Sequence, residues 1–261
     1  MVDKKIIGVV SGKGGVGKST IAVNISSLLS LKGLSTVLVD ADFYNPCIGL
    51  HLGMWHHPVG FQHFLEQKAK LDEVLAIYPP AGLHCILSSL SYYKDIKTDN
   101  MSALINQLQY DYVVLDCSPG LSKYVEDIIG VCNELYIVIT PDVPSVTSAS
   151  KLLGIIEDMK NKPKISFILN RVTGKKYEMY PREIEHLCGA RLSATIPEDH
   201  NIPESIASKM PVVLYNPNAK SSRIFSDVIE YSLPLAETRS RLGFFESIGK
   251  FFESLLPFRF R

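Results

Sequence analysis

Ser11-Gly12-Lys13-Gly14-Gly15-Val16-Gly17-Lys18-Ser19-Thr20 follows an apolar run at 6–10 and opens a helical pattern over 19–31. From Gly12 to Ser19 it fits G-x-x-x-x-G-K-[ST], which chance supplies on the order of once per hundred chains of this length. Its position between strand and helix gives the pattern a mechanism. Glycines let the backbone curl until several N–H groups converge, and the helix start adds the positive end of its dipole, so the turn suits phosphate oxygens. Lys18 is placed to reach the β- and γ-phosphates of a nucleotide, and the Ser19 hydroxyl to ligate Mg²⁺. Without an anion, Lys13 and Lys18 would repel each other beside that helix end.

Outward from this turn, short apolar runs alternate with helical patterns to about residue 232, with no Ser/Gly linker, low-complexity tract or repeat between them. Strands are predicted at 6–10, 36–39, 84–87, 112–115, 135–139, 165–169 and 191–195. Most are apolar throughout, as strands covered on both faces must be. Helices are predicted at 19–31, 101–108, 123–131, 147–159, 178–187 and 220–232. The expected fold is α/β: a single P-loop nucleotide-binding domain over residues 1–232, with a mostly parallel twisted sheet and helices on both faces. The stretch 43–80, with Trp55, His56, His57 and Pro58, reads as a mobile insertion. His51, His56, His57 and His63 have no metal-ligand spacing and read as exposed loop histidines.

Composition narrows the class. The 27 Lys and Arg cancel the 27 Asp and Glu of the 261-residue chain, which removes the overall basic field of a non-specific nucleic-acid binder. Cys47, Cys85, Cys117, Cys132 and Cys188 are scattered and never spaced C-x-x-C, so neither a disulfide framework nor a zinc knuckle is indicated. No run reaches the roughly 18 apolar residues of a membrane span, and the charged start carries no signal-peptide pattern. A cytoplasmic protein is expected.

Lys13 is the residue that an ordinary phosphate loop does not need. The string Lys13-Gly14-Gly15-Val16-Gly17-Lys18-Ser19-Thr20 resembles the deviant Walker A loop of the MinD/ParA family of P-loop ATPases, whose extra lysine reaches the partner's nucleotide in a dimer. Val39-Asp40-Ala41-Asp42 is similar to the family's first switch. The resemblance implies that Asp42 orients the attacking water and contributes to the metal site, with Asp40 supporting the metal's water shell. Asp116-Cys117-Ser118-Pro119-Gly120 is similar to the second switch, D-x-x-P-G, which implies that Asp116 holds Mg²⁺ through water and Gly120 permits movement. Taken singly, each aspartate could equally be a turn former. The resemblance further implies catalytic roles for Lys13, Lys18 and Asp42, ATP and Mg²⁺ as cofactors, and an ATP-dependent homodimer.

Asn170 and Arg171 end another run and resemble the family's adenine contact; the N-K-x-D of GTP-specific relatives is absent, which favours ATP. Ile196-Pro197-Glu198-Asp199 resembles a segment that closes over adenine, which puts Pro197 and Asp199 in the nucleotide set. Pro141-Asp142 with Ser145 resembles a P-x-x-x-S element near the dimer interface, where Asp142 would answer the partner's Lys13. Ser148 stands where MinD-like sequences usually carry an acid.

Past a predicted linker at 233–241, residues 242–261 form an amphipathic pattern. Phe244, Phe245, Ile248, Phe251, Phe252, Leu255 and Leu256 recur on one helical face. Five basic side chains (Arg239, Arg241, Lys250, Arg259 and Arg261) face two acidic ones (Glu246 and Glu253), a balance suited to anionic lipid. MinD-like members of the family end in such a membrane-targeting helix. The expected protein is therefore an ATPase that dimerises on Mg·ATP, binds the inner face of the cell membrane peripherally, and leaves after slow hydrolysis. It would position a division site or other cargo through an activator or cargo protein. No specific nucleic acid is expected, and a ParA-like partition ATPase is the alternative.

Overall fold

The computed structural model describes residues 4–55, 57–90, 96, 98 and 100–232. Among them eight strands form one sheet: β1 (Lys5–Val10), β2 (Thr36–Ala41), β3 (Leu75–Tyr78), β4 (Leu83–Ile86), β5 (Tyr112–Cys117), β6 (Glu134–Ile139), β7 (Lys164–Val172) and β8 (Leu192–Pro197). Their order is β3-β4-β2-β5-β1-β6-β7-β8, and every pairing is parallel except β3 with β4.

Alternate residues of each apolar run go to opposite faces. Ile6, Val37, Val39, Val113, Leu115, Leu135 and Ile137 pack beneath α5 (Met101–Gln107), α6 (Lys123–Val131), α7 (Val143–Glu157) and α8 (Pro181–Cys188). Ile7, Val9, Leu38, Val114, Tyr136 and Val138 pack beneath α1 (Lys18–Leu31), α10 (Val212–Tyr215) and α11 (Lys220–Ser232). This two-sided burial is why the strands read as continuous apolar runs. α1 is buried along most of its length, wedged between the sheet and α10–α11.

The chain winds from β1 to β2 across the α1 face and from β5 to β6 across the α6 face, so its direction reverses at β1. The carboxyl end of β1 is thus a topological switch point, the place where open α/β sheets bind ligands.

All seven predicted strands and six predicted helices are present, with ends shifted by a few residues. The segment 43–80 departs from the mobile insertion expected of it. It contains α2 (Ile48–Leu52), α3 (Phe61–Leu65), α4 (Leu71–Val74) and β3, and it buries Ile48, Phe61, Phe64 and Leu65. Helices of four or five residues are too short for a hydrophobic period to register. The same holds for α10, at four residues, while the seven-residue α9 (Asn201–Ala207), interrupted by Pro203 and with only Ser205 buried, shows no apolar stripe to read. The linker at 233–241 and the helix expected over 242–261, from Phe244 to Leu256, lie outside the described residues. Among the described residues no helix is long and apolar enough to cross a membrane.

Candidate nucleotide site

The glycine turn is shaped by its neighbours as well as by its own torsions. Gly15 and Gly17 have φ of 78° and 101°, in the left-handed region that disfavours a Cβ. Contact adds a second constraint. A Cβ on Gly17 would lie 2.3 Å from Nδ2 of Asn170, which donates to the Val16 carbonyl at 2.7 Å. A Cβ on Gly12 would lie 2.5 Å from the carbonyl carbon and oxygen of Ser148 on α7. The first turn of α1 carries Lys18, Ser19 and Thr20, with no acid and no capping side chain, so its N–H groups remain for an anion. Lys18 is buried.

Three aspartates gather at the ends of adjacent strands, with Asp40 and Asp116 in register across β2 and β5. Asp116 is fully buried, and neither carboxylate oxygen has a hydrogen-bond partner among the described residues. Burial pushes its pKa up to about 7; the Ser19 hydroxyl and the Lys18 charge pull the other way, and Asp42 adds repulsion. An orphaned carboxylate next to the Ser19 hydroxyl and an ammonium group fits a hydrated Mg²⁺. Asp40 differs. Its two oxygens accept from the Asp42 and Ile48 N–H groups, each at 3.2 Å, so it fixes the loop between β2 and α2. Burial and then Asp116 raise its pKa well above the usual carboxylate value.

Asp42 accepts from the Asn45 N–H at 3.1 Å and from the Ser118 hydroxyl at 2.8 Å, which ties the two switch-like segments together. Gly120, at φ 101°, donates its N–H to the Ser11 carbonyl at 3.0 Å. A cavity of about 310 Å³ is lined by Lys18, Ser19, Thr20 and Asp42, and also by Asn45, Cys47 and His51, which the sequence reading left out of the site. His51 is not the exposed loop histidine expected: it sits half-buried on α2, and burial lowers its pKa. Its spacing of four from Cys47, soon after Asp42, was the available signal. Burial, reinforced by the three aspartates, pushes the Cys47 thiol up to about 11, so it stays protonated.

The base-side candidates converge as well. Asn170, Arg171, Pro197 and Asp199 line one pocket of about 240 Å³ together with Gly17 and Thr20. Arg171 takes a left-handed backbone (φ 62°) and pairs with Glu198, its Nε donating to Oε2 at 2.9 Å. The Asp199 carboxylate is occupied by the N–H and side-chain amide of Asn201 and by the N–H and hydroxyl of Ser221. Burial alone would raise its pKa, but those bonds prevail and hold it down at about 2.

Lys13 points elsewhere. Its Nζ donates to Asp142 Oδ1 of its own chain at 3.0 Å, with the two side chains 44% and 39% exposed. Asp142 also caps α7 by accepting from the Ser145 N–H at 3.0 Å. Lys13 and Asp142 line an adjoining cavity of about 450 Å³ with Thr140 and Tyr177, which shares Gly14 and Gly15 with the phosphate-side cavity and Arg171 with the base-side pocket. The Ser148 hydroxyl donates to Pro144 O at 2.8 Å, one turn back along α7.

The model of the CobQ/CobB/MinD/ParA nucleotide-binding domain matches residues 7–212. The septum site-determining protein MinD of Synechocystis sp. is 30% identical over 219 residues, covering 80% of this chain and 82% of that protein. An uncharacterized ATP-binding protein of Methanocaldococcus jannaschii is 29% identical over 225 residues, 84% of each chain. Among solved structures, septum site-determining protein MinD from Pyrococcus horikoshii, complexed with Mg-ADP, superposes with a TM-score of 0.82 at 26% identity, covering 92% of this chain and 100% of the other. The chain therefore belongs to the CobQ/CobB/MinD/ParA nucleotide-binding family, whose MinD- and ParA-like ATPases bind ATP with Mg²⁺.

Proposed function

We propose that the chain is a MinD-like ATPase that dimerises around two Mg·ATP, holds an anionic membrane surface through residues 242–261 in that state, and lets go after slow hydrolysis. The observation that carries this reading is the placement of Lys13. It lines the cavity beside Asp142 and Tyr177, whereas Lys18 and Ser19 line the phosphate cavity. A cation set on the outer side of its own phosphate turn is available to a nucleotide in a facing copy. Leaving Asp142 costs little, because a half-exposed ion pair is worth about 0–1 kcal/mol.

Within the site, the turn's N–H groups and Lys18 hold the phosphates, and Ser19, Asp42 and Asp116 would hold Mg²⁺, partly through water. The metal, when bound, neutralises charge on the β- and γ-phosphate oxygens. Asp42, braced by Asn45 and Ser118, orients the water that attacks the γ-phosphorus, a task of positioning more than of covalent chemistry. Asn170, Pro197 and the backbone at Asp199 receive the adenine. Loss of the γ-phosphate frees the two segments that the Asp42–Ser118 hydrogen bond ties together, and the dimer opens.

One copy of residues 242–261 binds weakly and reversibly; a second beside it in a dimer makes insertion intramolecular and raises avidity by roughly 10² to 10⁴. The output is spatial, and the septum site-determining relatives favour placement of a division site or comparable cargo through a partner protein. Co-sedimentation with anionic liposomes tests the reading. Pelleting with Mg·ATP and not with Mg·ADP is expected, and equal pelleting in both states rejects it.

A further inference from the structure

We propose that Lys209 is a positioning residue for the hydrolytic loop, fastening α2, at the far end of that loop, to α9, which walls the base pocket. Two left-handed backbone positions meet there. Lys209 has φ 57° at the end of α9, and its N–H donates to the Ile206 carbonyl at 2.9 Å. Opposite it, Gly53 closes α2 at φ 71°, and a Cβ there would lie 3.0 Å from Lys209 Cδ and 3.2 Å from its Cβ. A glycine lets the lysine's aliphatic stem cross the end of α2. The ammonium then rests 4.1 Å from the ring centroid of Trp55, a cation–π contact. The Tyr78 hydroxyl donates to the Lys209 carbonyl at 3.3 Å, so β3 grips the same residue.

Both ends of this bridge lead to the nucleotide. Ile202 and Ile206 of α9 line the base pocket. At the other end, Ile48 donates to Asp40, while Cys47 and His51 line the phosphate cavity with Asp42. A five-residue helix has almost no stability of its own, so what grips its ends decides where it sits. Asp40 grips one end and Lys209 the other.

The proposal rests on the ATPase reading, and Trp55, the single tryptophan of the chain, supplies a readout independent of turnover. The full chain is titrated with Mg·ADP and with Mg·AMPPNP while Trp55 emission is followed, and kcat is measured with Mg·ATP. Wild type is expected to change emission on binding. Lys209→Ala is expected to lose that change and to lower kcat about two- to fivefold, with nucleotide Kd moving less than about twofold. Lys209→Arg, whose guanidinium also stacks on an indole, is expected to keep both. Should Lys209→Ala not fold, Gly53→Ala, which crowds the lysine stem, is expected to reproduce the loss of kcat and of the emission change. Unchanged emission, unchanged kcat, a Kd loss as large as the kcat loss, or a Lys209→Arg protein that behaves like the alanine variant would each overturn the proposal. A wild-type chain that binds nucleotide with an emission change and hydrolyses none of it rejects the ATPase reading instead.

Discussion

Asp116 concentrates the electrostatic tension of the site. Burial raises the Asp116 carboxyl from the ordinary value near 3.8 to about 7, so the folded chain binds its proton more tightly than the unfolded one. Its contribution to stability is therefore complete below about pH 4 and is lost as pH rises through about 7. Asp40, shifted the same way by burial, adds to this slope. Urea melts in EDTA from pH 5 to 8 should show stability falling with pH, by at most about 1.4 kcal/mol per pH unit for each proton involved. Asp116→Asn should flatten the slope, and Mg·ADP should raise wild-type stability most at the alkaline end. A flat wild-type profile would mean that Asp116 is ionised without a cation. Lys13 sets a second prediction. Lys13→Ala removes one half-exposed ion pair, so folding stability should change by less than about 1 kcal/mol and nucleotide Kd by less than about threefold. ATP-dependent dimerisation should be abolished, as light scattering would report; a Lys13→Ala dimer would show that the lysine does not act across the interface.

At the scale of elements, the segments that were legible are those whose burial imposes a pattern. Strands covered on both faces must be apolar at consecutive positions, and a helix packed along its length on the sheet carries an apolar stripe, so β1, β2 and β4 to β8, with α1, α5 to α8 and α11, could be read from residues alone. The phosphate turn was equally plain, because glycine spacing and a lysine at a helix start are set by local chemistry. What escaped notice depends on partners distant in sequence. α2 exists because Asp40 and Lys209 hold its ends, and His51 enters the phosphate cavity only through that helix. Asp199 belongs to the same class: the resemblance implied an adenine neighbour, and the structure adds a clamp between the β8–α9 junction and the first turn of α11. Asp199→Ala should destabilise the chain by about 1–2 kcal/mol, a drop in Tm of roughly 2–4 °C per kcal/mol. Because the folded pKa is depressed to about 2, that stabilisation is present above the ordinary carboxylate value and lost as pH falls towards 2. Thermal melts of both proteins at pH 3 and pH 6 would check this; a gap in Tm that does not narrow at pH 3 contradicts it.

For the whole molecule, the question is whether residues 233–261 belong to the domain or to its destination. α11 closes the core. Phe225, Val228 and Ile229 are buried against the sheet, and Lys32 of the α1 C-cap pairs with Glu230 at 3.4 Å. The face that α11 covers is finished by the last described turn, and the opposite face is finished by α5 to α8. A chain cut after Ser232 should therefore fold, with a Tm within about 4 °C of the full chain, and should still form the proposed Mg·ATP dimer in an Asp42→Ala background, in which hydrolysis is expected to be blocked. Its binding to anionic liposomes should fall by at least 10²-fold, roughly the advantage that two linked insertions hold over one. The two halves of this result separate cleanly. If truncation abolishes dimerisation, the tail is part of the nucleotide machine and the seven apolar side chains from Phe244 to Leu256 cover a protein surface. If truncation leaves liposome binding intact, the membrane contact lies on the described domain. Loss of membrane binding alone makes the tail an address that the dimer presents twice, and hydrolysis at Asp42 the event that withdraws it.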